Sequence, residues 1–240
     1  FDLSEKLSAQ QLALKEKKLP VIILIEGWGA AGKGSLIGRL IRYLDPRFYT
    51  VCTRSVPSDE ELRKPFLWHY FTKIPQNGKI VIFDSGWMEE TVRSVENKEL
   101  KKSALTERLE GIRIFERQLA ENGYLVVKLF LHISREEQKK RLEELEEDKN
   151  TDWRVTKNDW RQNEHYDKQV KRFDKYLEAT SEPWAPWHVI DATNRKEAEL
   201  AAFRIVTESI EQALAQRPGS TPLPKIEQFP LLRMPKLAKV

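Results

Sequence analysis

Apolar and polar positions along this chain change period several times, and each change marks an element. Residues 21–26 (VIILIE) form a short β-branched run whose only polar member is the last. Such a run predicts a strand buried on both faces of a parallel sheet. From residue 33 to 44 the spacing becomes helical, with Leu36, Leu40 and Ile41 on one side. Residues 48–53 predict a second strand. Ser58-Asp59-Glu60-Glu61 predicts a helix start leading into LRKPFLWHYFTKI. Residues 79–84 (KIVIFD) predict a third strand that ends on an acid. Residues 105–122 read as an amphipathic helix closed by Asn122-Gly123. A fourth strand follows at 124–133 (YLVVKLFLHI), and Ser134 to Glu137 has the form of a capping box opening a heavily charged helix. Residues 187–191 (WHVID) predict a fifth strand and 196–216 a last helix.

Strands alternating with helices over one domain length imply an α/β fold, a three-layer sandwich around an open, mostly parallel sheet. Residues 1–216 are expected to form this domain. Residues 217–240 are punctuated by prolines and read as a tail or linker.

Composition narrows the picture only a little. The chain has 240 residues, 40% hydrophobic and 32% charged, as expected of a sizeable globular core. No apolar run approaches the about 18–20 residues of a membrane span. The segment FDLSEKLSAQQLALKEKK is charged and helix-prone, unlike a secretory signal. The single cysteine, Cys52, excludes an internal disulfide and fits a reducing, cytoplasmic compartment. A net charge of +4 is too modest to select nucleic acid as a partner; a concentrated basic patch facing another polyanion would serve equally well.

The chemistry is concentrated after the first strand. EGWGAAGKGS, residues 26–35, places Gly27, Gly32 and Lys33 at the spacing of a phosphate-binding loop between strand and helix. In such a loop successive amides turn inward and a lysine adds a full charge beside a helix N-terminus. The candidate phosphate-binding residues are therefore Gly27, Gly29, Ala30, Ala31, Gly32, Lys33, Gly34 and Ser35. Gly34, however, stands where the motif calls for a hydroxyl, and Ser35 comes one residue late. Asp84, ending the third strand, is placed as the carboxylate that holds a metal ion near the phosphates; a helix cap is its other reading. Downstream, Lys139, Arg141, Arg154, Lys157 and Arg161 lie where a lid, about residues 139–165, would close over phosphates. The solvated face of a charged helix is the competing explanation for each. Trp68, Trp87, Trp153, Trp160, Trp184 and Trp187 read as packing residues, and the four histidines show no metal-ligand spacing.

Taken together, these motifs resemble the second family of polyphosphate kinases, P-loop enzymes that move phosphoryl groups between inorganic polyphosphate and nucleotides. The resemblance runs through EGWGAAGKGS, LDPRFY (44–49), FLWHYF (66–71), IFDSGW (82–87), SREEQKKRLEELEED (134–148) and DWRQNEHYD (159–167). Its most distinctive piece is ATSEPWAPWHVIDA (179–192). It implies a P-loop kinase-like fold with a helical lid, Mg2+ as cofactor with Mn2+ as a substitute, and inorganic polyphosphate with AMP or ADP as substrates. Lys33 would hold phosphate, Asp84 the metal, and the lid bases would line the polyphosphate path. No membrane or specific nucleic-acid partner is implied. A homo-oligomer is, or a tandem partner domain of the kind found in some polyphosphate:AMP phosphotransferases.

The chain also departs from the family pattern. The family's loop reads glycine, any residue, Asp, Ala, Ala, Gly, Lys, Gly, so Gly34 is normal there, but the loop Asp falls on Gly29. An arginine usual after the strand-end Asp falls on Ser85, another on Glu90, and His69 takes the place of a permanent cation. Glu26, Glu89 and Glu90 are the acids expected to make up for the loop carboxylate. The rival readings are a weakened domain that binds nucleotide or polyphosphate beside an active partner, and an ATP-dependent nucleoside monophosphate kinase.

Overall fold

A computed structural model describes residues 3–53 and 58–216 of the chain. The expected tail, 217–240, lies outside the described residues. In chain order the elements are α1 (Leu3–Glu16), β1 (Val21–Gly27), α2 (Lys33–Ile41), β2 (Tyr49–Thr53), α3 (Asp59–Leu62), α4 (Trp68–Phe71), β3 (Ile80–Asp84) and α5 (Trp87–Glu96). There follow α6 (Lys102–Glu121), β4 (Leu125–His132), α7 (Arg135–Glu147), a 3-10 turn (Asp152–Arg154), α8 (Lys157–Glu164), α9 (Tyr166–Thr180), β5 (Trp187–Asp191) and α10 (Arg195–Ala215).

The five strands form one sheet in the order β2-β3-β1-β4-β5, and every pairing is parallel. All strand C-termini therefore meet at one edge, and β1 sits in the middle with both neighbours paired. That position explains its unbroken apolar run: Val21, Ile22, Ile23, Leu24 and Ile25 are all buried. The strand and helix alternation seen in the sequence is thus realised as a three-layer α/β sandwich. Along β4, Lys128, Phe130 and His132 point to one face, where they meet Glu116 of α6, Phe173 of α9 and Trp28 respectively. α10 packs on β4 and β5, with α2 and α1 against it. Gln10 of α1 donates to the Thr207 carbonyl at 2.8 Å and ties that layer together.

The helix expected to run from Ser58 through FTKI is instead two short ones. Ser58 does cap α3 with a full capping box. Pro65 then interrupts the pattern, and α4 begins only at Trp68. Ser134 caps α7 by accepting from the Glu137 N–H at 3.2 Å.

Candidate active site

β1 leaves the sheet at Gly27, where φ is 135°. A Cβ at this residue would overlap the Leu131 carbonyl oxygen on β4, so only glycine lets the loop start this close to its neighbour. Trp28 then anchors the loop. Its side chain is buried, stacks on Tyr166 with ring centroids 4.1 Å apart, and donates its indole N–H to His132 Nδ1 at 2.9 Å. Burial lowers the His132 imidazole and so favours the neutral ring, whose Nδ1 is the acceptor that the Trp28 N–H requires.

Arg141 fixes the next part of the loop. Its Nη1 donates to the Ala30 and Ala31 carbonyls at 3.4 and 3.3 Å, and its Nη2 to the Ala192 and Thr193 carbonyls at 2.8 and 2.9 Å. Nε completes the set on Glu137 at 2.6 Å. Because a trans peptide points C=O and N–H in opposite directions, the Gly32 N–H faces away from this guanidinium. Arg141 is thus a buried brace of the phosphate loop and the end of β5, whereas a lid contact had been expected. Its donors are already matched to four carbonyls and the Glu137 carboxylate.

Lys33, the first residue of α2, lies across the loop, with Nζ donating to the Gly27 and Trp28 carbonyls at 3.1 and 2.9 Å. Gly34 and Ser35 are exposed in the first turn of α2. Asp84 ends β3 in register with Ile25 of β1, and so stands beside the loop at the same sheet edge. Burial pushes the Asp84 carboxyl up, Lys33 draws it back down, and Glu89 raises it again.

Two of the acids expected to substitute in the loop are committed elsewhere. Glu26 is buried, and its Oε1 accepts from the Gly86, Met88 and Glu89 N–H groups at 2.8, 3.2 and 3.3 Å, which caps α5. Desolvation, with Glu89 nearby, pushes its carboxyl up to about 8. Glu90 accepts from the Tyr70 hydroxyl at 2.6 Å and lies 3.1 Å from His69 Nε2. Burial raises the Glu90 carboxyl, but these two partners more than offset it and leave it below its ordinary value. Glu89 remains near enough to Asp84 to influence it.

The carboxylate that does reach the loop belongs to Asp159. A Cβ built on Gly29 would overlap Asp159 Oδ1 and lie 3.1 Å from Asp159 Cγ. The neighbouring residues of α8 hold this contact in place. Gln162 Oε1 accepts the Gly29 N–H at 2.8 Å and Gln138 Nε2 at 2.7 Å, while Gln138 also reaches the Gly29 carbonyl at 3.3 Å. None of Asp159, Gln162 or Gln138 was singled out from sequence. Thr156-x-x-Asp159 does have the form of a capping box, but nothing in the spacing says that α8 meets Gly29.

The other candidate bases lie on the surface. Lys139 is exposed and 3.7 Å from Glu143, Arg154 sits over the Trp153 ring at 5.2 Å, and Lys157 and Arg161 are exposed on α8. The tryptophan reading holds for Trp87 and Trp187, which are buried, and fails for Trp153, which is 72% exposed.

A profile for Polyphosphate kinase 2 (PPK2) matches residues 1–218. The chain belongs to the polyphosphate kinase 2 family. Among curated relatives, it is 34% identical over 218 residues to a polyphosphate:AMP phosphotransferase of Pseudomonas aeruginosa, an alignment covering 90% of this chain and 44% of that protein. It is 28% identical over 209 residues to an AMP/ADP-polyphosphate phosphotransferase of Meiothermus ruber, covering 87% of this chain and 78% of the relative. The crystal structure of polyphosphate kinase 2 from Arthrobacter aurescens superimposes with a TM-score of 0.84 at 25% identity, covering 94% of this chain and 81% of that one. The chain spans less than half the length of the Pseudomonas polyphosphate:AMP phosphotransferases it matches.

The motif most distinctive of the resemblance turns out to be structural. Within ATSEPWAPWHVIDA, the Thr180 carbonyl accepts from Lys128 Nζ at 2.7 Å and its hydroxyl accepts from Trp187 Nε1 at 2.9 Å. Trp187 N–H donates to Ser181 Oγ at 3.1 Å. The run closes the core around a buried lysine.

Proposed function

We propose that this chain transfers the terminal phosphoryl group of inorganic polyphosphate to AMP or ADP, with the reverse transfer open to the same site. The carrying observation is that Lys33, lying across the loop after β1, and Asp84, ending β3, stand near each other at the C-terminal edge of a parallel sheet, in a member of the polyphosphate kinase 2 family. A phosphate oxygen of the acceptor attacks the terminal phosphorus of the chain. A new P–O anhydride bond forms as the old one breaks, and the shortened polyphosphate leaves with the bonding electron pair. The attacking oxygen is already ionised, so no general base is required and the protein's task is to align and to neutralise. Lys33 would exchange its loop carbonyls for phosphate oxygens, and the Gly32 amide, which faces away from Arg141, would donate to the same ligand. Lys139, Arg154, Lys157 and Arg161 would guide the polyanion as part of a lid formed by α7 and α8.

Mg2+, with Mn2+ as a substitute, is the proposed metal, supplying charge neutralisation between donor and acceptor phosphates. The donor set fits such an ion. Among the described residues no three His, Cys, Asp or Glu side chains form a metal cage. Asp84 at the loop is the kind of single carboxylate that suits a cation drawing its other ligands from phosphate and water. A cytoplasmic setting and assembly with a second copy or a tandem domain belong to the same proposal.

The test offers the purified chain long-chain polyphosphate, Mg2+ and either AMP or ADP, and follows nucleotide products by chromatography, with Lys33→Ala alongside. Turnover lost by at least about a hundredfold in Lys33→Ala supports the reading. Retained polyphosphate binding without any turnover would favour the binding-only domain, for which Gly29 and Ser85 are the motivating departures.

A further inference from the structure

The loop from Gly27 to Gly34 carries no side-chain oxygen of its own. Position 34, where a P-loop hydroxyl would hold the metal, is glycine, Ser35 lies one residue further along the helix, and position 29 is glycine too. Yet a carboxylate oxygen does lie against the loop, at the place where a side chain of residue 29 would begin. It belongs to Asp159 in the first turn of α8. One oxygen of that carboxylate, Oδ2, is committed to the helix cap, accepting from the Thr156 N–H at 2.9 Å and the Thr156 hydroxyl at 2.6 Å. The other, Oδ1, is the one that faces Gly29.

This contact is held from several directions. Gln162, one turn along the same helix, takes the Gly29 N–H. Gln138 of α7 bridges Gln162 and the Gly29 carbonyl, and Asn163 donates to Gln138 Oε1 at 3.1 Å and to the Arg135 carbonyl at 2.8 Å. Gly29 also has no left-handed φ that would call for glycine. A Cβ there would meet the outer end of the Asp159 side chain.

We propose that Asp159 supplies from α8 the loop carboxylate that position 29 does not, helping to hold the divalent cation and orient the phosphates, so that the catalytic set is completed by the packing of α8 on the loop. This rests on the phosphotransferase reading above. It has a structural corollary: positions 29 and 159 share one carboxylate between them. A side chain at 29 would have to move the Asp159 carboxylate aside, and removal of the Asp159 side chain makes room for one.

The test uses the full chain and four variants: Asp159→Asn, Thr156→Ala, Gly29→Asp, and the transfer variant Gly29→Asp with Asp159→Ala. Mn2+ binding in the presence of tripolyphosphate is read from the free-ion electron paramagnetic resonance signal. Turnover is measured separately as a function of Mg2+. Asp159→Asn is expected to weaken Mn2+ binding by about tenfold or more and to raise the Mg2+ needed for half-maximal turnover. Thr156→Ala removes the hydroxyl of that cap but leaves its backbone N–H and the carboxylate, and is expected to bind Mn2+ as the parent does. Gly29→Asp alone is expected to push the Asp159 carboxylate aside, and the transfer variant, which carries the carboxylate at 29 instead, to bind Mn2+ as the parent does.

Parental Mn2+ affinity in Asp159→Asn would overturn the proposal. So would an equal loss in Thr156→Ala, which would assign the effect to the cap. If the unaltered chain binds Mn2+ with tripolyphosphate but turns over nothing, the phosphotransferase reading falls, while the comparison of Asp159→Asn with Thr156→Ala still decides where the carboxylate acts. If the unaltered chain shows no tripolyphosphate-dependent Mn2+ binding, both readings fall.

Discussion

Trp28 of the phosphate loop and His132 at the end of β4 are joined by an indole N–H donated to Nδ1 at 2.9 Å, inside a stack with Tyr166 and an edge contact with Phe173. The loop is therefore positioned by an aromatic anchor set into the core on one side and by Arg141, Gln138 and Gln162 on its glycine and alanine backbone. Trp28→Phe keeps most of the ring but leaves the buried Nδ1 without its donor, which is expected to lower unfolding stability by about 1–2 kcal/mol. Trp28→Ala removes the anchor itself and is expected to lower it by about 3–5 kcal/mol and to raise KM for polyphosphate. Urea unfolding and steady-state kinetics on the two variants check both statements.

Lys128 and Glu116 form a fully buried pair, Nζ to Oε2 at 2.6 Å, with the lysine also on the Thr180 carbonyl and over the Trp187 ring and the glutamate also accepting from Trp87 Nε1. Lys128→Met leaves Glu116 buried beside an apolar group and is expected to destabilise by about 3–5 kcal/mol. The double variant Lys128→Met with Glu116→Leu replaces both charges by apolar side chains of similar size and is expected to recover most of that loss. A double-mutant cycle by denaturant unfolding measures the coupling.

Glu26 makes stability depend on pH. Its folded carboxyl is raised from 4.5 to about 8, because burial and the neighbouring Glu89 disfavour the charged form. The folded state holds the proton more tightly than the unfolded one. The stabilisation is therefore complete below about pH 4.5 and is lost progressively as pH rises toward about 8. Glu26→Gln retains an oxygen to cap α5 and cannot ionise. It is expected to melt close to the parent at about pH 5 and above it at about pH 9, the gap widening steadily between them. A gap that does not change with pH would contradict this.

Arg141 and the exposed bases should separate by the quantity they affect. Arg141→Lys loses the forked donors that hold four carbonyls and is expected to cost about 2–3 kcal/mol of stability, with lower kcat as the loop loosens. Alanine at Lys157 or Arg161 is expected to leave stability within about 0.5 kcal/mol and to raise KM for polyphosphate, more so at low salt. Thermal melts and kinetics at two ionic strengths distinguish the two classes.

Much of this molecule was readable along the chain because its signals are local. VIILIE, KIVIFD and WHVID are short apolar runs that predict strands, the first of them buried on both faces, and the loop glycines and Lys33 fall at fixed offsets between a strand and a helix. Asp84 was legible for the same reason: it closes a strand, and in a parallel sheet strand ends share an edge. The break at Pro65 was present in the sequence too, but the helical spacing on either side of it masked two short helices as one.

What sequence did not decide depends on residues far apart in the chain. Gly29 reads as a missing acid until α8 brings Asp159 against it. Arg141 reads as one more base on a charged helix until folding aligns it with the carbonyls of residues 30, 31, 192 and 193. Glu26 reads as a spare loop carboxylate until α5 presents three N–H groups to it. Periodicity determines which face of an element is apolar, because that depends on neighbours three or four residues away. Which polar group meets which is set by the packing of one element on another, and only the tertiary structure places the carboxylate of residue 159 beside residue 29.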